Sequence, residues 1–411
     1  MKNNLKFALT AISLAFGTLY SYAQQVDSSA FYKIQEIQQH AKSQFAPDKR
    51  TKILALKNAD AKQNIYLIET TEASAKNYIT AALQAANIPA QVSIQLLPDA
   101  SVGAKTVGVV TLSVANLRTQ PEHSAEMATQ VILGTTVDIL QRENGFFRVR
   151  TPEGYISWVN THSITAMTAA ELTAWKAAPK VMYTQAYGNS FSENSTKSQS
   201  VSDLVYGNLL LLKGTKGAFY EVQYPDQRIA FIPKKEAQPF DTWIASRQLT
   251  AEGILSAAKT MMGLPYLWGG TSVKGVDCSG FTKTSFFMNG IIIPRDASQQ
   301  VLQGDQIDIL DSEGNFDAEK ALKNLKPADL LFFAAGKSKS KNARVTHVAL
   351  YLGEGQFIHS AGSVRVNSML KEAKNYDDFQ TRTVVAARRY IGAHDSQIQP
   401  VKENSYYANN N

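Results

Sequence analysis

The sequence predicts a multidomain α+β protein: a small N-terminal α/β module, two small β-barrels and a C-terminal mixed domain. Three observations carry this. At 411 residues the chain is too long for one hydrophobic core. Two stretches, 106–165 and 180–240, each break into short strands separated by turns. The single cysteine, Cys278, sits where a turn-rich aromatic run gives way to a helix, and a hairpin with two histidines follows.

Composition bounds the chemistry. The chain is 44% hydrophobic and 19% charged, with a net charge of +7 and a pI near 9.1. That mild excess of cations favours approach to an anionic polymer, and it equally fits a general surface property. The sequence has no glycine-rich phosphate loop, zinc-type cysteine set or clustered basic–aromatic surface. Nucleotide, zinc and nucleic-acid roles therefore have no support.

In chain order, residues 1–23 read as a signal peptide. Lys2 and Lys6 form the basic start, Phe7 to Leu19 the apolar core, and Ser21-Tyr22-Ala23 the cleavage site. The apolar core is too short to span a bilayer, and no cysteine stands near the cleavage site to carry a lipid anchor. An exported, periplasmic protein is expected. A lone thiol in such a compartment calls for a role other than an internal disulfide.

Residues 24–105 read as the α/β module. Helices are expected at Ser29–Ala41 and Ser74–Ala86, and strands at Ile53–Leu56, Ile65–Glu69 and Val92–Leu96. No catalytic constellation is visible there, so scaffolding or interdomain packing is expected. Residues 106–165 turn to β character, with strands at Val107–Val114, Gln130–Leu133, Thr136–Gln141, Phe146–Arg150 and Gly154–Val159. Ala166 to Ala177 reads as a helix within the 166–179 link. Residues 180–240 repeat the strand order: Phe219-Tyr220-Glu221-Val222 parallels Phe146-Phe147-Arg148-Val149, and Ile229-Ala230-Phe231-Ile232 parallels Ile156-Ser157-Trp158-Val159.

The last domain, 245–393, opens with a helix at Thr250–Met262 and closes with a strand at Val384–Tyr390. Asp305–Ala321 reads as an acidic surface insertion with a short helix, and Gly336–Asn342 as a basic loop. The tail, 394–411, is polar and expected to be disordered.

Cys278 follows the turn-rich run Gly263-Leu264-Pro265-Tyr266-Leu267-Trp268-Gly269-Gly270 and sits where loop becomes helix, just before a helix expected at Phe281–Met288. A helix N-terminus lowers a thiol pKa, and its free N–H groups can receive an oxyanion. The same position also suits a buried structural cysteine. A nucleophile needs a base and an orienter. His347 and His359 flank a Gly353-Glu354-Gly355 turn. A turn centred on Gly353 sets them opposite each other, so that one imidazole orients the other.

These residues resemble a family. Tyr266-x-Trp268-Gly269-Gly270, Asp277-Cys278-Ser279-Gly280-Phe281, Pro294-Arg295, Ala328-Asp329-Leu330-Leu331-Phe332-Phe333 and His347-Val348-Ala349-Leu350-Tyr351-Leu352-Gly353 are similar to the NlpC/P60 peptidases. The strand pattern of 106–165, with Val114–Arg118 and Gly154–Val159, resembles a bacterial SH3 domain, and 180–240 a second, diverged one. The resemblance implies a papain-like catalytic domain with a Cys278–His347–His359 triad and no metal or cofactor. It implies cleavage between γ-D-glutamate and a diamino acid, usually meso-diaminopimelate, in murein stem peptides with a free N-terminal L-alanine. Asp277 matches the family's amine-binding aspartate, while Tyr266, Ser279, Arg295 and Asp296 match other pocket positions. Glu126 is a second candidate carboxylate, and Tyr155 or Trp158 a candidate aromatic wall. Other readings stay open at this point: Asp277 as a helix cap, Glu126 as an exposed loop charge, and Tyr155 and Trp158 as barrel core. Hydrolysis of intact crosslinked peptidoglycan, or wall binding by an inactive domain, are the alternative functions.

Overall fold

The computed structural model describes residues 29–60, 63–336 and 343–408. The expected signal peptide and the basic run 337–342 lie outside them. Among the described residues no helix is long and apolar enough to cross a membrane.

Helices Ser29–Phe45 and Ala73–Ala85 pack on a three-stranded sheet of Leu54–Asp60, Ile65–Thr70 and Gln91–Leu96. The periodicity explains both element types. Ala30, Ile34, Gln38 and Ala41 fall on one helical face and are buried. Along Ile65–Thr70, Tyr66 and Ile68 are buried whereas Ile65 is exposed.

Two seven-stranded antiparallel sheets follow, each forming a small SH3-like barrel. The first runs from Val107–Val110 to Ile164–Met167 around Val110, Leu117, Ile139, Val149 and Val159. The expected strand Val107–Val114 is two, Val107–Val110 and Val114–Arg118. The chain turns between them, where the Thr111 N–H bonds the Ser163 carbonyl and Leu112 points to solvent. The second barrel runs from Lys180–Tyr183 to Ala237–Pro239. Its hairpin pairs Phe219 with Pro233, and the first barrel pairs Phe146 with Asn160, so the two parallel motifs share one register. Helix Ala169–Ala177, capped by Thr168 and Glu171, joins them.

The C-terminal domain sets helix Cys278–Phe287 against a six-stranded antiparallel sheet. The strand order is Asp305–Gln306, Arg382–Arg389, Leu330–Ala335, Val345–Gly353, Gln356–Ala361, Ser363–Ser368. Alternation in Leu330-Leu331-Phe332-Phe333 fills two cores. Leu330 and Phe332 join Cys278, Phe281 and Val348 on the helix side, while Leu331 and Phe333 join Tyr351 and Phe357 on the other.

The tail departs from expectation. It is polar, yet residues 394–408 are folded onto the body. Gln399–Pro400 pairs with Ile291–Ile292, Val401 is fully buried, and Tyr407 packs on Phe287 with its hydroxyl on Thr135. A few well-placed apolar residues outweigh the segment's mean polarity. Truncation after Ile398 is expected to cost about 3 kcal/mol or more, read as a lower urea midpoint. An unchanged midpoint would show the tail to be passive.

Candidate active site

Asp277 starts the helix that carries Cys278. Its Oδ1 accepts the Gly280 N–H at 2.7 Å, and its Oδ2 accepts the Gly269 N–H at 2.9 Å. Gly269 is held at φ +78°, where a Cβ would lie 2.6 Å from the Met127 carbonyl oxygen. At Gly280 a Cβ would meet the Gly270 carbonyl at 2.0 Å. Glycine at 269 lets the turn approach the first barrel, and glycine at 280 lets the helix approach the turn. Ser360, on the hairpin, donates to the Val276 carbonyl at 2.7 Å and ties the sheet to the same turn.

The sulfur of Cys278 is buried and within reach of the backbone N–H groups of Val348, next to His347, and of Ser279. The thiol pKa is pushed up to about 12, by burial first and by the Asp277 carboxylate second. This corrects the expectation of a depressed thiol pKa at a helix N-terminus. Burial disfavours the thiolate more than the backbone donors favour it. His347 is held well below the usual imidazole range, chiefly by burial and then by His359, Arg382 and Arg365. His359 falls to about 3, again chiefly by burial. The resting groups are therefore a neutral thiol and neutral imidazoles.

The two histidines meet, but not as direct opposites. The turn is the two-residue Glu354–Gly355, both at positive φ, with Gly353 paired to Gln356. Leu350 pairs with Ile358, and continuing that register sets Ala349 opposite His359. His347 is then the diagonal neighbour, and its Nε2 lies 2.9 Å from His359 Nδ1.

The next partner fixes the protons. Asn367 Nδ2 donates to the Asn375 carbonyl at 3.2 Å, so its Oδ1 faces His359 Nε2 at 3.1 Å. His359 must then carry its proton on Nε2, and its Nδ1 accepts from His347 Nε2–H. Nδ1 of His347 is left with the lone pair. Phe333 and Phe357 stand edge-on to the two imidazoles and hold the ring planes.

The remaining site residues separate into two sets. Arg295, 1% exposed, forks onto Asp277 at 3.1 Å and 2.6 Å, donates to Ser279 Oγ at 2.9 Å, and reaches Thr129 of the first barrel at 2.7 Å. Both Asp277 oxygens are thus occupied by internal donors, so the aspartate caps a helix and holds an arginine, with no oxygen free for an amine. Asp296, next in sequence to Arg295, carries the outward carboxylate. Its Oδ2 accepts from Tyr155 at 3.5 Å and from Arg50 at 2.8 Å. Tyr155 is pushed above the usual phenol range by burial first and then by Asp296. Tyr266 is likewise raised, by burial and then by the neighbouring Cys278 and Asp277. Glu126 is exposed and accepts from Trp268 Nε1 at 2.7 Å, bridging the first barrel to the glycine turn. Trp158 is not in this group: it is buried in the barrel beneath Arg148.

Two residues were missed from sequence. Asn367 extends the diagonal His347–His359 pattern by one strand, a signal present in the alternation Val364-Arg365-Val366-Asn367. Arg50 comes from the N-terminal module, 246 residues from Asp296, and no local pattern reveals it. A cavity of about 50 Å³ lined by Gln130, Glu153, Lys283, Phe287 and Tyr407 lies on the opposite side of the Cys278 helix; none of Cys278, His347 and His359 lines it.

A helix-borne cysteine beside strand-borne histidines on an antiparallel sheet defines a cysteine peptidase. Residues 263–388 match the NlpC/P60 family, and residues 117–164 the bacterial dipeptidyl-peptidase SH3 domain. The chain carries an NlpC/P60 peptidase domain preceded by bacterial SH3-like domains. A gamma-D-glutamyl-L-lysine dipeptidyl-peptidase of Bacillus cereus is 29% identical over 248 residues, 58% of this chain and 69% of its own. Dipeptidyl-peptidase 6 of Lysinibacillus sphaericus is 25% identical over 68% of this chain and 97% of its own. The crystal structure of an NlpC/P60 family protein from Bacillus cereus superposes with a TM-score of 0.56 at 25% identity, over 69% of this chain and 99% of that one.

Two predictions follow from the proton arrangement. Asn367→Ala frees the His359 tautomer and is expected to lower kcat about tenfold with little change in KM; equal kcat would exclude Asn367 from orientation. The depressed imidazoles also set acid stability. Unfolded histidines take up protons near pH 6.5, before the folded ones do. Stability is therefore full above that pH and is lost as pH falls towards the folded values, about 3 for His359. The melting temperature of the wild type should drop between pH 7 and pH 4, and less so in His359→Gln.

Proposed function

We propose that this chain is an exported γ-D-glutamyl-L-diamino acid endopeptidase that cuts murein stem peptides carrying a free N-terminal L-alanine. The observation that supports this best is the Asp296–Tyr155 pair. A carboxylate from the catalytic domain and a hydroxyl from the first barrel stand together at one end of the polar chain that begins beside Cys278. An ammonium leaving water needs such a carboxylate. The relatives named as gamma-D-glutamyl-L-lysine dipeptidyl-peptidases support the same bond. Export rests on the leader-like residues 1–23.

In the proposed reaction, His347 Nδ1 takes the Cys278 proton as sulfur bonds to the γ-carbonyl carbon. General-base attack of this kind suits a thiol that is neutral at rest. Asp277 engages the Gly280 N–H through Oδ1 and the Phe281 N–H through its carbonyl. The N–H groups of Cys278 and Ser279 at the helix start then face the tetrahedral oxyanion. Collapse breaks the C–N bond, and His347 returns its proton to the leaving amine. Water, deprotonated by the same imidazole, then hydrolyses the thioester. His359 and Asn367 keep the His347 lone pair on Nδ1 throughout.

The test follows L-Ala-γ-D-Glu-meso-diaminopimelate and its N-acetyl copy by mass spectrometry, beside intact sacculi. Cys278→Ala is expected to abolish cleavage, and His347→Ala to reduce kcat about 10³-fold or more. Acetylation removes the ammonium that would face Asp296 and should lower kcat/KM about 10²-fold. Equal cleavage of both peptides would remove the free-amine requirement, and digestion of sacculi alone would move the activity to crosslinked wall.

A further inference from the structure

We infer that Arg50, carried by the N-terminal module, is a specificity-determining positioning residue that holds Asp296 ready for the substrate's ammonium. The inference rests on the amine-end reading above. The module lies outside both family-matched segments, 117–164 and 263–388, yet it reaches the same carboxylate.

Arg50 is anchored twice. Its carbonyl accepts the Ile156 N–H at 2.6 Å, one residue from Tyr155, so the module's 46–53 loop is fixed to the barrel beside the aromatic wall. Its side chain spans two elements. Nε and Nη2 fork onto the two oxygens of Asp48 at 2.8 Å each, and Nη1 donates at 2.8 Å to both Asp296 Oδ2 and Ser298 Oγ. Asp48 in turn accepts from Gln299 at 2.9 Å. The arc Asp48–Arg50 therefore grips the start of helix Ala297–Gln300 from outside and fixes one Asp296 oxygen.

Charge decides between holding and blocking. Asp48, Asp277 and Asp296 supply three carboxylates, and Arg50 and Arg295 two guanidiniums, joined by direct contacts. Arg295 is matched by Asp277 and Arg50 by the fork from Asp48, so one negative charge remains, centred on Asp296. Oδ2 is occupied by Arg50; Oδ1 lies 3.9 Å from Arg295 Nη1 and is the oxygen available to a single ammonium. An arginine spent on its own aspartate orients this carboxylate without cancelling it. A lysine in its place would reach one carboxylate and could not form the fork.

The test uses the full chain with Arg50→Ala and Arg50→Lys, the free peptide and its N-acetyl copy. For Arg50→Ala we expect KM for the free peptide to rise about tenfold or more. Its kcat should stay within about threefold, and kcat/KM for the acetylated peptide should not change. Arg50→Lys should recover part of the KM. Melting curves report folding, and if Arg50→Ala does not fold, Arg50→Lys and Arg50→Gln carry the comparison. Equal losses on both peptides would make Arg50 a packing residue and overturn the inference. A lower KM for the free peptide would make Arg50 a competitor of the ammonium and overturn it as well. Wild-type enzyme that treats both peptides alike removes the amine end itself. Wild-type discrimination with an unaltered Arg50→Ala removes only the role of Arg50.

Discussion

The buried ion pair of Asp277 and Arg295 is the contact on which the site depends. Asp277 caps the helix of Cys278 and holds the Gly269 turn; Arg295 extends the same charge to Thr129 of the first barrel. Taking two such charges out of water is unfavourable unless every donor and acceptor is used, and here the remaining positions are filled by Ser279, backbone N–H groups and Thr129. Removing one partner would strand the other at a cost of about 3–5 kcal/mol. Domain docking and helix capping are thereby one interaction, and the barrel cannot shift without disturbing the turn that presents the thiol.

The electrostatics of the thiol follow from how deeply that turn is buried. A helix N-terminus contributes roughly 0.3–1 kcal/mol to an anion, less than one pKa unit. Full burial moves a pKa by as much as 3–5 units. Burial wins, and the Asp277 carboxylate adds to it. Both histidines are pushed the same way, towards neutrality. A preformed thiolate–imidazolium pair is disfavoured on both sides, so proton transfer in the proposed reaction is coupled to attack. The value of the Asn367–His359–His347 chain is then directional: it leaves a lone pair, not a charge, on His347 Nδ1.

Much of this was legible in the sequence, and the exceptions have physical reasons. The barrels were readable because their strands alternate and the second repeats the first. The glycines around the turn were readable as turn signals, and the structure adds that 269 and 280 are positions of backbone contact. The hairpin was readable but its register was not, because Glu354 adopts a positive φ that the sequence does not advertise. Asp277 was readable as a carboxylate beside a cysteine; that its oxygens face inward depends on Arg295, 18 residues on. The tail was misread because mean polarity hides Val401 and Tyr407. Arg50 had no local signal at all, since its role exists only once two distant segments meet.

That last point bears on why the protein carries domains ahead of its peptidase. The Cys278 helix and the histidine strands come from one domain, and the first barrel braces their turn through Thr129 and Met127. The proposed amine end is different: Asp296 comes from the peptidase domain, Tyr155 from the first barrel and Arg50 from the N-terminal module. A bond-breaking site can be built on a single rigid sheet and helix, because its parts must stay fixed relative to one another. Discrimination between a free amine and an acylated one requires a site closed on several sides, with its charge balanced to one unit. In this chain that balance is reached by adding an Asp48–Arg50 pair of no net charge to a carboxylate that already faces a buried arginine. The added module can thus shape selectivity while leaving the thiol and its imidazoles untouched.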